Sequence, residues 1–509
     1  MENKFENIPK ELFEFAQLDE VLHDKKMDTK ARGYFADAFL RFKKNKSSVV
    51  AAIIIAFLIL FAIVSPIVSQ YTINDKDIVY QNFPPYIAGM QEKGHGFFDG
   101  SKVLGSQNEL SLDKWKAVAK ETGMDPVIGI VGTEEVESKH RGQTIVSKYY
   151  KVKINQYYAV GVRSMTLSYE EFADIQRFQD ETGIQVLYPW VEAKDIEGIT
   201  DVSVWYQVQD AKGTPLKDAD GNWIPAYSSN SELEGAPYTS QRIAGDPGTW
   251  IYSARKSGAV SCRLCYYNYY IYKNGYEPHY LFGTNVMGQD MFMAIGIGAR
   301  FSLVFAVIVS AINLFIGTIY GSIQGYYGGK IDLVLDRIAD VLSGLPFIVC
   351  VTLFKLHLGQ KVGMVPSFMF AYVLTGWIGM AALVRKQFYR FKGQEYVLAA
   401  RTLGASDRRL MFKHIFPNSL GTIVTSCALV IPGVISSETT MAYLGIVDLS
   451  SFLGTTMGTL MAQGQSVATT SPHAMIFPSI FLSLLLISFN LFGNGLRDAF
   501  NPSTRGMED

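Results

Sequence analysis

The sequence predicts an all-α polytopic membrane bundle of six transmembrane helices, with a large α+β extracytoplasmic insertion between helices 1 and 2. Three observations support this fold class. The 509 residues are 48% hydrophobic and 18% charged, a mixture typical of membrane spans joined to a water-exposed part. Residues 49–68 form a long run without a charge, and weaker apolar runs fill the C-terminal half. Residues 70 to about 290 contain no such run.

The first span, 49–69, is the clearest, because its uncharged run is long enough to cross roughly 30 Å of hydrocarbon. A secretory signal peptide is the competing interpretation. It fails because the polar segment 1–48 precedes the run, whereas a signal peptide has only a short basic region there. The basic residues between Arg41 and Lys46 place this N-terminal tail in the cytoplasm.

Five further spans are predicted in the C-terminal core, residues 294–498. They contain small and polar residues, which packed helices tolerate where they touch one another or line a path. Six crossings return the tail 499–509 to the cytoplasm. The charges agree, since the loop 385–418 is rich in Lys and Arg and the outside loop 358–365 has only Lys361. The five spans are predicted at 302–322, 339–357, 366–384, 420–437 and 475–493.

The insertion, residues 70–293, is predicted to form its own α+β domain. One helix begins with Ser111 as its N-cap and stops at Gly123. A capping box that starts at Ser168 begins a second helix, which stops at Gly183. Both helices end in Glu-Thr-Gly, which hints at a duplicated helix–strand unit.

Further along the insertion, apolar and polar residues alternate over 202–208 and indicate a half-buried strand, and 218–221 indicates the following turn. Cys262 and Cys265 form a lone C-x-x-C without further ligands at zinc spacing, so no metal site is predicted. A local disulfide and two free thiols both stay open. Paired tyrosines favour sheet packing over a ligand surface, and no catalytic triad, zincin motif or carboxylate pair is visible. The net charge of −1 gives no indication of nucleic acid.

Residues 395–418 predict two short amphipathic helices separated by Gly404, which is free to adopt positive φ. Ser406 is the candidate N-cap of the second helix, and Pro417 is predicted to stop that helix just before the next span. A compact basic hairpin of this kind fits a groove on a cytoplasmic partner. An anchor for anionic lipid is the alternative, and charge does not decide between the two. The apolar faces are Val397, Leu398, Ala400 and Leu403 in the first helix and Leu410, Met411 and Ile415 in the second.

This segment resembles the EAA loop of ATP-binding-cassette (ABC) importer permeases, whose pattern is E-A-A, three residues, G, then nine residues before I-x-L-P. Here Leu398-Ala-Ala400 precedes Gly404, and Pro417 falls at the expected spacing. Leu398 in place of Glu and His414 in place of the first Ile resemble the oligopeptide/dipeptide branch. In that family the loop docks on the ATPase subunit. The resemblance therefore implies ATPase coupling for Glu395, Leu398, Ala399, Ala400, Gly404, Arg408, His414 and Pro417.

Other matches to the C-type permease subunit of this branch follow in order along the chain. Residues 282–290 resemble L-G-T-D-x-x-G-R-D, with Asn285 and Gln289 in place of the Asp and the Arg. The insertion departs from the family's short outer segment, and a role in extending the outer vestibule or contacting a binding protein is a hypothesis. The other matches lie at 35–68, 299–303, 325–329, 345–347, 438–445 and 494–498.

The resemblance implies a non-catalytic permease subunit of the type I ABC importer fold, which moves oligopeptides or dipeptides across a bacterial plasma (inner) membrane. The chain contains no G-x-x-x-x-G-K-[ST], so no cofactor is expected on it, and ATP and Mg²⁺ belong to partner chains. The implied partners are a second homologous permease, two ABC ATPases, an extracytoplasmic peptide-binding lipoprotein and membrane lipid. Candidates for the translocation path are Asn313, Asp340 and Glu438, with helix–helix hydrogen bonding as the alternative role.

Other functions stay open at this point. Nickel or glutathione importers share this branch, although nickel would favour His, Cys or Met along the path. A membrane receptor or scaffold with an extracytoplasmic sensing domain is a candidate of another class, but the chain shows no output domain. An outward-facing enzyme is a third, without a visible catalytic constellation.

Overall fold

The computed structural model describes residues 34–90, 98–140, 143–188, 238–243, 246–255, 259–449 and 454–500. The predicted strand at 202–208 and the turn at 218–221 lie outside the described residues. Helix α1, Tyr34–Lys44, leads directly into helix α2, Lys46–Val68. The side chain of Asn45 caps α2 by accepting a hydrogen bond from Ser48 N at 3.3 Å. Helix α2 confirms the first predicted span and begins three residues before its apolar run.

Within the described residues, five helical segments are long and apolar enough to cross a membrane. A sixth is reached only if a strongly bent pair of helices counts as one span. The predicted six-span bundle is therefore confirmed as a helical bundle of five or six candidate spans. The five are Lys46–Val68, Met291–Tyr327, Met364–Lys392, Asp407–Tyr443 and His473–Phe500.

Among the described residues, ten helices follow the inserted domain, several of them joined end to end. Helices α10 and α11 together form one candidate span, and so do α13, a π-helical turn at Leu410–Ile415 and α14. Their bounds are α7 Met291–Tyr327, α8 Gly329–Ser343, α9 Phe347–Val362, α10 Met364–Thr375, α11 Ile378–Lys392, α12 Glu395–Thr402, α13 Asp407–Arg409, α14 Phe416–Tyr443, α15 Met457–Ser466 and α16 His473–Phe500.

The span predicted at 339–357 does not form one continuous helix. Helices α8 and α9 meet at an angle of 75° across residues 344–346. Pro346 lacks a backbone N–H and disfavours helical dihedrals at Leu345, so the chain turns at this point despite its apolar composition. Residues 323–338, which separate two of the predicted spans, are helical except at Gly328, because α7 continues to Tyr327 and α8 begins at Gly329.

Helix α7 packs closely against α11 through a ladder of glycines. A Cβ at Gly317 would lie 2.7 Å from Trp377 O, and one at Gly325 would lie 2.7 Å from Arg385 O. Gly321, between them on α7, approaches the backbone of α11 even more closely. Small residues repeated every fourth position let two membrane helices approach without a gap. These glycines fix α7 and α11 as one packed pair.

The inserted domain contains two units of similar order. In the first, strand β3 lies between β1 and β2, and in the second, strand β8 lies between β4 and β5. Each unit has one helix after its first strand and another after its last. The first unit is β1 Ser101–Gln107, α3 Glu109–Thr122, β2 Val127–His140, β3 Gln143–Asn155 and α4 Gln156–Ala159. The second is β4 Val162–Ser168, α5 Tyr169–Thr182, β5 Leu187–Tyr188, β6 Tyr238–Ile243, β7 Asp246–Arg255, β8 Ala259–Cys265 and α6 Tyr266–Asn274.

The duplication extends to the ends of the two main helices. Gly123 and Gly183 end α3 and α5 with φ of +72° and +73°. In both helices the preceding threonine hydroxyl donates to the carbonyl four residues earlier at 2.7 Å. Ser168 caps α5 as predicted, accepting from Glu171 N, but the N-cap of α3 is Asn108 rather than Ser111. Ser111 instead donates its backbone N–H to the Asn108 side chain.

A buried ion pair joins the two units. The Arg263 guanidinium of β8 donates to a Glu121 carboxylate oxygen of α3 at 2.9 Å, and the Arg263 side chain is almost fully buried. Burial raises the pKa of Glu121, while the adjacent guanidinium lowers it and offsets part of that effect. Cys262 and Cys265 of the same strand are free and buried, and burial raises the pKa of each thiol to about 12. Of the two outcomes left open for them, the structure has the free thiols.

The chain enters and leaves the inserted domain through two antiparallel segments that pair with each other. Tyr86 and Tyr280 exchange two backbone hydrogen bonds of 2.9 Å, and Thr284 N donates to Phe83 O at 2.9 Å. Tyrosines pack around this pairing, and several of their hydroxyls form hydrogen bonds with one another. For example, the Tyr270 hydroxyl donates to the Tyr71 hydroxyl at 3.0 Å. The buried members of this tyrosine cluster are Tyr71, Tyr80, Tyr86, Tyr157, Tyr188, Tyr267, Tyr270 and Tyr280.

The two departures from the family motif at 282–290 contact each other. The Asn285 amide nitrogen donates to the Gln289 side-chain oxygen at 2.9 Å, and both side chains are buried. Asn285 also accepts from the backbone N–H of Gln289 at 3.0 Å, and the Gln289 amide donates to Ile73 O at 2.6 Å. A neutral amide pair thus occupies the positions where the family pattern has an acid and an arginine.

The tyrosine hydroxyls give a matched stability prediction. Tyr270→Phe removes the contacts to Tyr71 and Tyr280 and is expected to destabilise the chain by about 1–2 kcal/mol. Tyr80→Phe is expected to be neutral or stabilising, because the buried Tyr80 hydroxyl has no hydrogen-bond partner in the described structure. Thermal unfolding of the purified chain in detergent measures both. Equal losses for the two variants would contradict this assignment.

The amide pair gives a second prediction. Asn285→Asp or Gln289→Arg alone leaves a buried charge without its counter-charge, and each is expected to cost on the order of 3 kcal/mol. The double variant restores an ion pair in the same geometry and is expected to recover most of that loss. The melting temperature in detergent gives the coupling energy. Additive losses in the double variant would show that the two positions do not interact.

Candidate coupling segment and translocation path

The first helix of the 395–418 segment, α12, turns only part of its predicted apolar face inward. Val397 is fully buried and Ala400 is packed against the same core. Leu398, however, is 45% exposed and Leu403 is 88% exposed, so the predicted apolar face of this helix is only partly buried. Val397 and Ala400 are three residues apart and point the same way, whereas Leu403 lies at the C-cap and points away.

Gly404 ends this helix with a φ of +82°, which confirms the predicted positive φ. Gly404 N donates to Arg401 O at 3.0 Å, and Ala405 N donates to Ala400 O at 3.1 Å. This pair of bonds is the Schellman arrangement that closes a helix at a left-handed residue. No atom lies within 4 Å of the position of a Cβ, so the requirement for glycine comes from the backbone alone.

The second helix begins at the predicted position but does not stop at Pro417. Ser406 is the N-cap residue of α13, and Leu410, Met411 and Ile415 are buried. The helix then passes through a π-helical turn and continues as α14. Pro417 has no N–H to donate, so the hydrogen-bond ladder widens here without ending. The segment is therefore rigidly continuous with a membrane span.

The segment is also attached to the end of α7. The Tyr326 hydroxyl donates to an Asp407 carboxylate oxygen at 2.5 Å, and the Arg401 guanidinium donates to the same hydroxyl at 3.3 Å. The Lys392 ammonium donates to Gly325 O at 3.0 Å. Side chains of α7, α11 and the segment share one apolar core, whose members are Tyr326, Met380, Val384, Phe388, Val397, Leu410, Met411, Ile415 and Ile423.

A second ionic contact fastens α8 to the same end of the bundle. The Arg385 guanidinium donates to Asp332 at 2.6 Å and to Asp336 at 2.7 Å, and the Tyr389 hydroxyl donates to Asp332 at 2.6 Å. Sequence patterns did not identify Asp332, Asp407 or Tyr326 as connecting residues. The only available signal was that Tyr326 lies inside the matched motif at 325–329.

The remaining predicted coupling residues lie on the surface of the segment. Glu395, Ala399, Arg408 and Pro417 are exposed, and His414 is half-buried with its carbonyl accepting from Asn418 at 2.7 Å. Leu398 and Leu403 of the same segment are exposed as well, so the segment presents both charged and apolar side chains on its outside. A surface of this composition suits a protein partner better than water alone.

Two of the three predicted path residues lie inside the bundle. Glu438 is fully buried and accepts from the Ser302 hydroxyl at 2.8 Å, while its other carboxylate oxygen has no partner among the described residues. Asn313, on the same helix as Ser302, is buried against Gly376. Asp340 is instead more than half exposed and forms a 3.0 Å ion pair with Arg337. The structure thus groups Glu438 and Asn313 along α7 and leaves Asp340 apart from them.

Within the described part of the chain, no group of three or more His, Cys, Asp or Glu side chains is arranged to hold a metal ion. Polar contacts between helices of the bundle include the bond from Ser302 to Glu438 and the bond of 2.7 Å from the Tyr372 hydroxyl to Ser437. Such contacts hold helices together and can also line a path.

A bundle of candidate membrane spans that carries a rigid, exposed hairpin defines the class of polytopic membrane transport subunits. Two family models match this chain: the binding-protein-dependent transport system inner membrane component over residues 317–506, and the N-terminal transmembrane domain of oligopeptide transport permease C over residues 33–85. The chain belongs to this family of oligopeptide and dipeptide transport permeases, as its curated relatives also show. It is therefore a non-catalytic membrane permease subunit of an ABC importer.

Three of those relatives are more than a third identical to this chain over the aligned residues. The oligopeptide permease protein OppC of Bacillus subtilis is 39% identical over 227 residues, which are 44% of this chain and 72% of that protein. The dipeptide permease protein DppC of the same organism is 38% identical over 226 residues, 44% of this chain and 69% of its own length. OppC of Escherichia coli K12 is 35% identical over 232 residues, which are 45% of this chain and 74% of that protein.

Solved structures of ABC importers are also similar. The MetNI methionine transporter in an inward-facing conformation matches 40% of this chain and 97% of its own, with 14% identity and a TM-score of 0.33. An amino acid ABC transporter crystallised with histidines matches 39% of this chain and 92% of its own, with 16% identity and a TM-score of 0.29.

Proposed function

We propose that this chain forms half of the translocation path of an ABC importer that moves oligopeptides or dipeptides into the cell. The observation that carries the proposal is the 395–418 segment. It presents an exposed Leu403 beside a left-handed glycine, and it is held by hydrogen bonds and a shared core to a membrane helix. A docking surface of this kind transmits force only if it is rigid. The names of the relatives support peptides as the cargo.

The proposed assembly contains a second homologous permease, two ABC ATPases that hold ATP and Mg²⁺, and a peptide-binding lipoprotein on the outer side. The chain lies in the bacterial plasma (inner) membrane with both termini in the cytoplasm and the inserted domain outside. Coupling is assigned to the predicted residues around Gly404, and the path to Glu438, Asn313 and Asp340. Both ATP and delivered peptide bias the equilibrium between the two conformations of the bundle.

Co-purification tests the proposed assembly. The tagged full chain, extracted from its native membranes in mild detergent, is expected to bring down two Walker-motif ATPases, a second permease and a lipoprotein. Leu403→Ser removes an exposed anchor and is expected to lower ATPase recovery roughly tenfold. Leu444→Ser is the matched control, because Leu444 is 58% exposed at the far end of α14. Recovery of the wild-type chain alone, or equal losses in both variants, would contradict the proposal.

The turn at Gly404 gives a functional prediction. Gly404→Val forces a β-branched residue into positive φ, so the turn changes shape and uptake is expected to fall at least tenfold at equal membrane abundance. Gly404→Asn is expected to keep roughly half of the uptake, because asparagine tolerates the left-handed region. Peptide-stimulated ATP hydrolysis by the purified complex is measured beside uptake. Wild-type uptake by the valine variant would overturn the assignment of this turn to coupling.

A further inference from the structure

Helix α1 lies beside the last turns of helix α16, at the level where the first candidate span begins. Phe42 of α1 is buried and contacts Phe492 of α16 edge-on, with ring centroids 5.4 Å apart. Ser48, in the first turn of α2, lies at the same height, because its hydroxyl donates to Leu491 O at 3.4 Å. Helix α1 is therefore held at the point where the chain enters the span Lys46–Val68, next to the surface of any membrane that α2 crosses.

Helix α1 is not a straight extension of this span. Asn45, the one residue between α1 and α2, has an extended backbone with φ of −80° and ψ of 98°. Its side-chain oxygen accepts from the Ser47 hydroxyl at 2.7 Å and from Ser48 N at 3.3 Å, which fixes the turn. An extended residue between two helices changes the direction of the chain, so α1 leaves the axis of α2 at the membrane surface.

The exposed side of α1 carries large apolar groups next to a cation. Phe39 is 58% exposed and Leu40 is 40% exposed, whereas Phe42 is buried against the bundle. The Lys43 ammonium, one turn further along the helix, lies 4.8 Å from the centroid of the Phe39 ring. Exposed Phe and Leu side chains beside lysines are typical of a helix that lies in the boundary between lipid headgroups and acyl chains.

Positive charge is concentrated at the end of α1 that meets the span. Four of the six residues 41–46 are Arg or Lys, whereas the only acid of α1 is Asp37, which forms an ion pair with Arg41. Lys43 and Lys46 are exposed and have no carboxylate within ion-pair distance in the described part of the chain. Anionic headgroups attract cations only within about a Debye length of the membrane surface, and the position of α1 meets that condition.

We propose that the exposed side of α1 binds anionic phospholipid, with the headgroups at Lys43 and Lys46 and with Phe39 and Leu40 in the acyl region of the same leaflet. A zwitterionic lipid offers the same acyl region but no net negative charge for the lysines, so the surface selects anionic lipid. An acidic protein would satisfy the lysines alone, whereas the apolar side chains lie at the level of the span, where lipid is present. The inference goes beyond the proposed function, because it requires only that α2 crosses a membrane and holds for any cargo.

The test measures the melting temperature of the purified full chain in nonionic detergent during titration with short-chain phosphatidylglycerol or phosphatidylcholine. The anionic lipid is expected to raise the melting temperature at roughly 20-fold lower concentration, because each of the two lysines contributes about fivefold. The double variant Lys43→Gln with Lys46→Gln is expected to lose most of this preference. Lys330→Gln with Lys386→Gln is the matched control, since both lysines are exposed on other helices, and it is expected to keep the preference.

Phe39→Ser separates the apolar contribution from the charge, and it is expected to weaken the response to both lipids equally and leave the preference unchanged. Added salt is expected to weaken the response to phosphatidylglycerol alone. Equal responses of the wild-type chain to the two lipids, or the same loss of preference in the control variant, would overturn the proposal. If the Lys43 and Lys46 double variant keeps the preference but recovers less ATPase from native membranes, the surface receives an acidic protein and the proposal is wrong.

Discussion

The pairing of residues 77–86 with residues 280–288 is the constraint on which the rest of the structure depends. The two segments lie almost 200 residues apart in sequence, and closing so long a loop carries an entropic cost that grows only slowly with length. Backbone hydrogen bonds between Tyr86 and Tyr280, and a buried tyrosine cluster around them, offset that cost. The inserted domain therefore leaves and rejoins the bundle at one closed joint, and its size does not separate helix α2 from helix α7.

Helix α7 connects this pairing to the 395–418 segment. Asp290 caps its first turn by accepting from Phe292 N and Met293 N at 3.2 Å, and Tyr326 contacts the 395–418 segment in its last. A helix of 37 residues spans about 55 Å. Because Gly317, Gly321 and Gly325 hold α7 tightly on α11, a displacement of the segment moves both helices together. The inserted domain is attached to the N-terminal end of α7.

Sequence periodicity predicted the features that depend on local chemistry. The uncharged run of α2, the cap at Ser168 and the positive φ of Gly404 each follow from a few neighbouring residues. It failed where apolar spacing hid a local break in the helix: the apolar run across Pro346 contains a 75° bend, and Leu403, at the C-cap of α12, turns outward despite its helical spacing. The contacts of Tyr326 with Asp407 and of Tyr86 with Tyr280 join residues 81 or more positions apart, so no local pattern could reveal them.

The amide pair at the joint shows which property of the family motif this chain retains. The pattern L-G-T-D-x-x-G-R-D pairs an acid with an arginine, and here Asn285 and Gln289 replace both. Their mutual hydrogen bond and the bond from Gln289 to Ile73 O keep the turn closed without any charge. In this chain the motif therefore holds together, through neutral hydrogen bonds, the segments that carry the inserted domain.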